Sequence, residues 1–273
     1  EKPDLIFNLC ETFRDNDKFE FNVTALLEMI RIPFTGSGSG GIFLSHDKSI
    51  SKKVFDFHKI NYADFALVPI GQGPELPKNL SYPLFVKPVH EDASIGIDEH
   101  SIVADEEALK NKIKEIHEVV GDDAMVEEYI EGREFFVSVL GNNLIKPLEV
   151  IELDFAKWPK DKPRIYTYRA KIEEESEEFK SIGLKIPDDL APEIKAKMQD
   201  TALKVYRALE AKDYARVDIR MDQNGKFYIL EANLNPYLAK NSETNFAAQH
   251  SGITYQQLIA QIVELALARS GRH

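Results

Sequence analysis

The sharpest alternation of apolar and polar positions in the chain runs from Arg216 to Tyr237, RVDIRMDQNGKFYILEANLNPY. It predicts two β-strands joined at Asn224-Gly225, the strongest short-range signal for a hairpin. Asp218, Glu231 and Asn233 sit inside this alternation, where a sheet favours β-branched side chains. A two-residue turn pairs Gln223 with Lys226 and sets Asp218 directly opposite Glu231, whereas a loop from Asp222 to Gly225 sets the two diagonal. Either way both carboxylates and Asn233 share one face, because side chains alternate with period two.

Elsewhere the periodicity switches between strand and helix. Residues 5–9 read as an apolar strand, residues 22–30 as a helix and residues 33–35 as a short strand. Gly36, Gly38 and Gly41 formally spell G-x-G-x-x-G, but no βαβ unit with a ribose-binding acid follows, so they read as a plain turn. A helix is expected over 45–59, with Ser45 as its cap and Asp47 in the first turn. SYPLFVKP reads as a strand ending at Lys87-Pro88, followed by a small-residue loop that reaches Gly96. An amphipathic helix carries Leu109, Ile113 and Ile116. AMVEEYIEGREFFVSVLGNN reads as strand, bend at Gly132 and strand. KIEEESEEF is expected to be an exposed, mobile loop. A long helix with Ile194, Met198, Ala202, Val205 and Leu209 inward precedes the hairpin, and ITYQQLIAQIVELALA closes the chain as a helix.

Two carboxylates at cross-strand distance repel by roughly 1 to 4 kcal/mol at about 4 Å. Something positive belongs between them. Two carboxylates and an amide suit Mg²⁺ or Mn²⁺, which share phosphate oxygens with a nucleotide; Arg216, on the same face, would serve as well in a structural salt bridge. The hairpin alone leaves both readings open. Lys87, closing an apolar strand before a Ser/Gly loop, reads either as a phosphate ligand or as a solvated edge lysine. Glu127, Glu128, Glu131 and Glu134 crowd the Gly132 bend around Tyr129 and Ile130, as a solvated acidic loop or as a surface for adenine and ribose.

Composition narrows the field. A chain of 273 residues with a net charge of −12 can bury one large or two to three small cores and is a poor general ligand for nucleic acid. The single cysteine, Cys10, fits a reducing compartment and reads as a small buried hydrophobe. No apolar run approaches the ~20 residues of a membrane helix, so a cytoplasmic protein is expected. The start, EKPDLIFNLCE, has no initiator Met and enters at once on a strand, which reads as a fragment lacking earlier strands.

PDLIFNL, IPFTGSG, Asp47-Lys48, FVKP, DASIG, VEEYIEGREF, YRAK, RVDIRMD and FYILEAN follow one another in an order that resembles the ATP-grasp ligases, most closely the D-alanine:D-alanine ligase branch. The resemblance spans nearly the whole chain and implies an α/β (α+β) ATP-grasp fold with the nucleotide between two sheet-containing subdomains. Residues 36–125 would form the central subdomain and 126–273 the C-terminal one with the metal site, after a 1–35 remnant of an N-terminal α/β substrate domain. By the same resemblance Lys48 and Lys87 contact the phosphates of ATP, and Ser94 and Gly96 lie in the loop that closes over them. Glu127, Glu128, Tyr129 and Ile130 bracket adenine, and Glu134 takes the ribose hydroxyls. Lys171 reaches the terminal phosphate from a lid. Asp218, Glu231 and Asn233 carry Mg²⁺, Arg216 stabilises the charged intermediate, and Ser242 holds a substrate carboxylate.

The resemblance thus implies an ATP-dependent carboxylate–amine ligase acting on small amino-acid-like substrates, with homodimer formation left open. The departures fall on the substrate side. Where the branch has a serine in the phosphate loop and a tyrosine after the lid lysine, this chain has Ala93 and Ile172. Where it has Pro-Gly after the metal-site asparagine, this chain has Pro236-Tyr237, and Tyr237 narrows the acceptor pocket. These differences favour a related ligase of different specificity. The rivals are a small-molecule kinase of the same fold, a non-catalytic ATP-binding regulatory protein, and an α/β protein whose acidic hairpin is a salt-bridge cluster.

Overall fold

A computed structural model describes residues 3–13, 16–91, 94–159, 162–173 and 175–271. Ala93 lies outside the described residues. Strands β1 (Phe65–Val68), β2 (Leu84–Pro88), β3 (Ile102–Val103) and β4 (Ala124–Glu128) form a four-stranded sheet in the order β1-β4-β2-β3. A six-stranded sheet holds β5 (Gly132–Gly141), β6 (Ile145–Pro147), β7 (Ile151–Asp154), β8 (Gly183–Lys185), β9 (Tyr214–Asp222) and β10 (Phe227–Asn233), in the order β10-β9-β5-β7-β8 with β6 beside β5. The described strand pairings are antiparallel. β4 runs across the 125/126 division drawn from the sequence.

The helices are α1 (Glu20–Met29), α2 (Ser39–His46), α3 (Lys48–Phe57), α4 (Glu106–Glu115), α5 (Tyr168–Ile172), α6 (Glu177–Ser181), α7 (Pro192–Ala208), α8 (Glu243–His250) and α9 (Tyr255–Arg269). Along β5 and β9 successive side chains alternate between the two faces of the six-stranded sheet. Phe135, Val137, Val139, Val217, Ile219 and Ile229 point into a core closed by Met198, Ala202 and Val205 of α7, with Ile42 of α2 and Phe55 of α3. Its other face is apolar only at one end, where Phe136, Leu140 and Tyr214 meet Ala247 of α8 and Leu258 and Ile262 of α9. At the other end that face carries Glu134, Arg216, Asp218 and Arg220 and looks toward the four-stranded sheet. Burying such charges is tolerable only when they are paired or hold a ligand.

Four expectations change. Residues 5–9 form one parallel bridge, Ile6 to Phe34, because Pro33 beside it has no N–H to extend a ladder. The single helix over 45–59 is two, since Asp47 is extended (ψ 102°) and caps α3 through the N–H groups of Ser49 and Ile50 at 2.8 and 3.0 Å. Ser45 lies inside α2 and bonds the Ile42 carbonyl. The glycine stretch opens α2 instead of looping: Gly38 is its cap, and a Cβ on Gly41 would stand 3.0 Å from the Leu209 carbonyl oxygen. KIEEESEEF enters on the end of α5 and leaves on the start of α6, helices capped by Thr167 and Ser176.

The bend at Gly132 is as expected and has a steric cause. Its φ is 158°, and a Cβ there would fall 1.9 Å from the Met221 carbonyl oxygen of the paired strand. Gly132→Ala is therefore expected to cost at least about 2 to 4 kcal/mol, combining backbone strain with the clash. Urea unfolding checks it, with an unchanged slope and a lowered midpoint expected.

Candidate active site between the two sheets

The hairpin that carries the acids is built by a bulge. Its turn is neither of the two geometries read from the sequence: Asp222 pairs with Lys226, and Gly225 takes φ +77° in a three-residue loop. From this loop the ladder runs Phe227 to Met221, Tyr228 to Arg220 and Ile229 to Ile219, a register that would set Asp218 opposite Leu230. An irregularity between Ile229 and Glu231 restores the pairing of Glu231 with Asp218 and of Asn233 with Arg216. Leu230 is the extra residue, and the bulge lets Glu231 and Asn233 face the cleft while Ile229 and Ala232 stay in the core. The β10 edge is tied down by Asn61, whose carbonyl takes the Ile229 N–H at 2.9 Å and whose amide reaches the Phe227 carbonyl at 2.7 Å.

Both readings of this hairpin have a structural counterpart. Arg216 donates to both oxygens of Asp218 at 2.7 and 2.9 Å and reaches Glu243 at 3.3 Å. Yet one guanidinium does not neutralise three carboxylates. Burial raises Asp218 to about 6 against the pull of Arg216, with Glu231 adding to the rise. Burial would raise Glu231 too, but Lys48, Lys87, Lys171 and Arg216 hold it down to about 2. No group of three His, Cys, Asp or Glu side chains poised for a metal exists among the described residues. A divalent ion here would rest on Asp218 and Glu231 with the amide oxygen of Asn233, an oxygen set that fits a hard cation sharing ligands with phosphate.

A cationic arc faces these acids. Lys48 opens α3, is 3.8 Å from Glu231 and donates to the Glu91 carbonyl at 2.6 Å. Lys87 sits on β2 and pairs with Glu127 of β4 at 3.2 Å. Lys171, in α5, lies 5.7 Å over the ring of Tyr166 and lines the cleft beside Asp218 and Glu231. With Arg216 of the hairpin itself, four cations surround the acid pair, the arrangement a polyphosphate needs.

The segment expected to take adenine and ribose lines the same cleft, and two of its acids are already engaged. Glu127 is fully buried between Lys52 at 3.0 Å and Lys87, so it tethers lysines as well as edging the cleft. Its Oε1 faces the Lys52 ammonium and its Oε2 that of Lys87. Glu134 is ion-paired to Arg220 at 2.8 Å. Glu128 is exposed at the cleft edge, Tyr129 lies 6.0 Å from the Arg220 guanidinium, and the buried Ile130 offers its carbonyl to Arg220.

Two loops meet over the cleft. Ser94, with φ +62°, donates to the Tyr166 carbonyl at 2.8 Å, and the Tyr168 N–H reaches the Ile97 carbonyl at 3.3 Å. Gly96 does not line the cleft; it packs where a Cβ would come within 2.9 Å of Pro88. Beyond Lys171 and Tyr166 the cleft continues into a chamber of about 790 Å³, bordered by Arg216, Asn233, Tyr237, Ser242, Glu243 and Ile172. Ser242 is the cap of α8 and Tyr237 is exposed at the chamber wall.

Sequence reasoning missed several contributors. Lys52 follows Lys48 by four residues, so helical spacing puts both on one face of α3. Arg220 follows Arg216 and Asp218 at period two. His90 had no local signal: its ring is 2.7 Å from Asp122 and 3.5 Å from Asp47, a clamp on the cap of α3 assembled from three distant segments.

The family model described as the D-ala D-ala ligase C-terminus matches residues 48–264. The D-alanine–D-alanine ligase of Desulfotalea psychrophila is 31% identical over 252 residues, 91% of this chain and 74% of that protein. The "Uncharacterized protein y4sG" of Sinorhizobium fredii is 34% identical over 265 residues, 97% of this chain and 75% of that protein. The solved structure of D-alanine–D-alanine ligase from Bacillus anthracis complexed with ATP superposes with a TM-score of 0.74 at 26% identity, covering 91% of this chain and 75% of that one. Two sheets flanking a cationic, carboxylate-edged cleft, taken with these matches, define an ATP-grasp ligase, an enzyme that forms carbon–nitrogen bonds. Within that class the chain belongs to the D-alanine–D-alanine ligase family.

The His90 clamp gives a pH dependence. Hydrogen bonds donated to Asp122 and then to Asp47 raise His90 from 6.5 to about 9, while the same contacts hold both acids low despite their burial. A raised histidine stabilises the fold fully below about pH 6.5, and that contribution is lost as pH rises through about 9. Unfolding free energy is expected to fall by on the order of 1 to 3 kcal/mol across that window, and His90→Gln to flatten the change, as urea melts at pH 6 and pH 9.5 would show.

Proposed function

We propose that the cleft binds Mg²⁺·ATP and that the chamber binds a small amino-acid-like acid and an amine, which the protein joins as an amide. The observation that carries this reading is the convergence of Lys48, Lys87, Lys171 and Arg216 on the Asp218–Glu231 pair where cleft and chamber meet. A nucleotide lying in the cleft would direct its terminal phosphate to this junction, and a carboxylate in the chamber would meet it there.

The chemistry needs no protein nucleophile. A carboxylate oxygen of the acid attacks the terminal phosphorus, ADP departs and an acylphosphate forms; the amine nitrogen then attacks the acyl carbon, phosphate departs and the amine loses a proton. The residues contribute position and charge. Lys48 and Lys87 would hold the phosphates, Lys171 the transferring group and Arg216 the negative charge that develops on the carbonyl oxygen as the amine adds. Asp218, Glu231 and Asn233 would hold Mg²⁺, which when bound offsets phosphate charge and fixes its orientation. The Ser94 and Tyr166 loops, bonded to each other, keep water from the acylphosphate. Glu128, Tyr129 and Ile130 would edge the adenine, and Ser242 would hold a substrate carboxylate at the start of α8.

The chamber supports a specificity different from that of the D-alanine–D-alanine ligases. Tyr237 and the aliphatic Ile172 both border it, and Glu243 places a buried carboxylate against Arg216 inside it.

Incubation with Mg²⁺, ATP and pooled D- and L-amino acids is expected to yield ADP, phosphate and a new amide by mass spectrometry. Glu231→Gln is expected to reduce the rate at least 100-fold through loss of phosphoryl-transfer charge stabilisation. A phosphorylated product without an amide would identify a kinase instead. Mg²⁺·ATP at about 100 times its Kd should stabilise the fold by about 2.7 kcal/mol, and no shift would leave only the salt-bridge reading.

A further inference from the structure

Lys52 has no place in the mechanism, yet it is among the most completely buried side chains of the protein. It projects from α3 one turn after Lys48, lies 5.3 Å from the Tyr62 ring and 5.7 Å from the Phe65 ring, and pairs with Glu127 at 3.0 Å. It also donates to the Ala63 carbonyl at 3.4 Å. Burial lowers its pKa, and Glu127 opposes that shift. So enclosed, its ammonium cannot reach a ligand in the cleft.

Its partner explains why a cation is kept there. Lys87 and Glu127 stand on neighbouring strands, Lys87 opposite Met125 and Glu127 opposite Phe85, so they are diagonal neighbours on the face that lines the cleft. Glu127 gives one oxygen to Lys52 and the other to Lys87. With two ammonium groups sharing one carboxylate, the trio keeps a net positive charge, and the member at the cleft is Lys87. Remove the charge of Lys52 and Glu127 would pair with Lys87 alone, in a site where burial strengthens every electrostatic contact. Lys87 would then be a neutralised partner instead of a phosphate ligand.

We propose that Lys52 is a positioning residue: by occupying half of Glu127 it keeps the charge of Lys87 available to the nucleotide phosphates. This rests on the reading of the cleft as an ATP site. It also gives α3 a double role, with Lys48 directed to the hairpin acid Glu231 and Lys52 to the acid of the four-stranded sheet.

The test is a double-mutant cycle on Mg²⁺·AMP-PNP affinity by calorimetry, with folding checked by circular dichroism. Lys52→Met is expected to weaken binding tenfold or more, whereas the same change in a Glu127→Gln background should alter it less than threefold, because the carboxylate that would capture Lys87 is gone. Lys52→Arg should bind within threefold of the wild type. Lys52→Gln provides a second neutral variant, and the Lys52→Met/Glu127→Gln chain removes both buried charges together, a change buried pairs tolerate better than loss of one partner. A purely structural lysine would show equal losses in both backgrounds, and that result, or wild-type affinity in Lys52→Met, overturns the proposal. Wild-type protein that binds no Mg²⁺·AMP-PNP overturns the ATP reading itself, and so separates the two failures.

Discussion

Two carboxylates, Asp218 and Glu231, are held face to face across a strand pair, and the repulsion between them organises the site around it. An unbroken ladder from the three-residue Gly225 loop would not place them so, because it would set Leu230 against Asp218. The bulge at Leu230 corrects that register and turns both acids to one face. The structure answers their charge with Arg216 on one side and with Lys48, Lys87 and Lys171 on the other. In each case the cation comes from a different element, so the electrostatics of one hairpin ties β2, α3, α5 and β9 to a common point.

The division of the molecule into two sheets follows from the same demand. One face of the six-stranded sheet is apolar apart from the Arg133–Glu152 ion pair and is closed by α7, α2 and α3; the other is apolar only beneath α8 and α9. The polar end of that second face cannot be covered by a hydrophobic layer without stranding Glu134, Asp218 and Arg220, so a second sheet bearing Lys87 and Glu127 stands across a cleft from it. Helix α3 spans the gap, packing Phe55 into the larger core while Lys48 and Lys52 reach carboxylates on either sheet.

Much of this was legible in the residues. The hairpin, the glycine at the Gly132 bend, the strand ending in Lys87 and the long amphipathic α7 each carry a local signature, and the family follows from the order of short motifs. What escaped was set by contacts distant in sequence. Asp47 as a helix cap depends on a break that propensity does not announce, and its partner His90 is more than forty positions away. The engagement of Glu134 by Arg220 and of Glu127 by Lys52 could not be read from a run of acids that looks solvated. The two-residue turn had the stronger local signal, but a three-residue loop with a compensating bulge satisfied both the core and the site, a conflict that only the paired strand can resolve.

The central claim is that the Asp218–Glu231 pair exists to hold a divalent cation together with a nucleotide. Titration of Mn²⁺ followed by electron paramagnetic resonance, with and without ADP, tests it directly. The account predicts tight Mn²⁺ binding that requires ADP and is lost in Glu231→Gln while ADP itself still binds in the cleft. Mn²⁺ binding that is indifferent to ADP or unchanged in Glu231→Gln would contradict it and leave the pair as a salt-bridge cluster with Arg216.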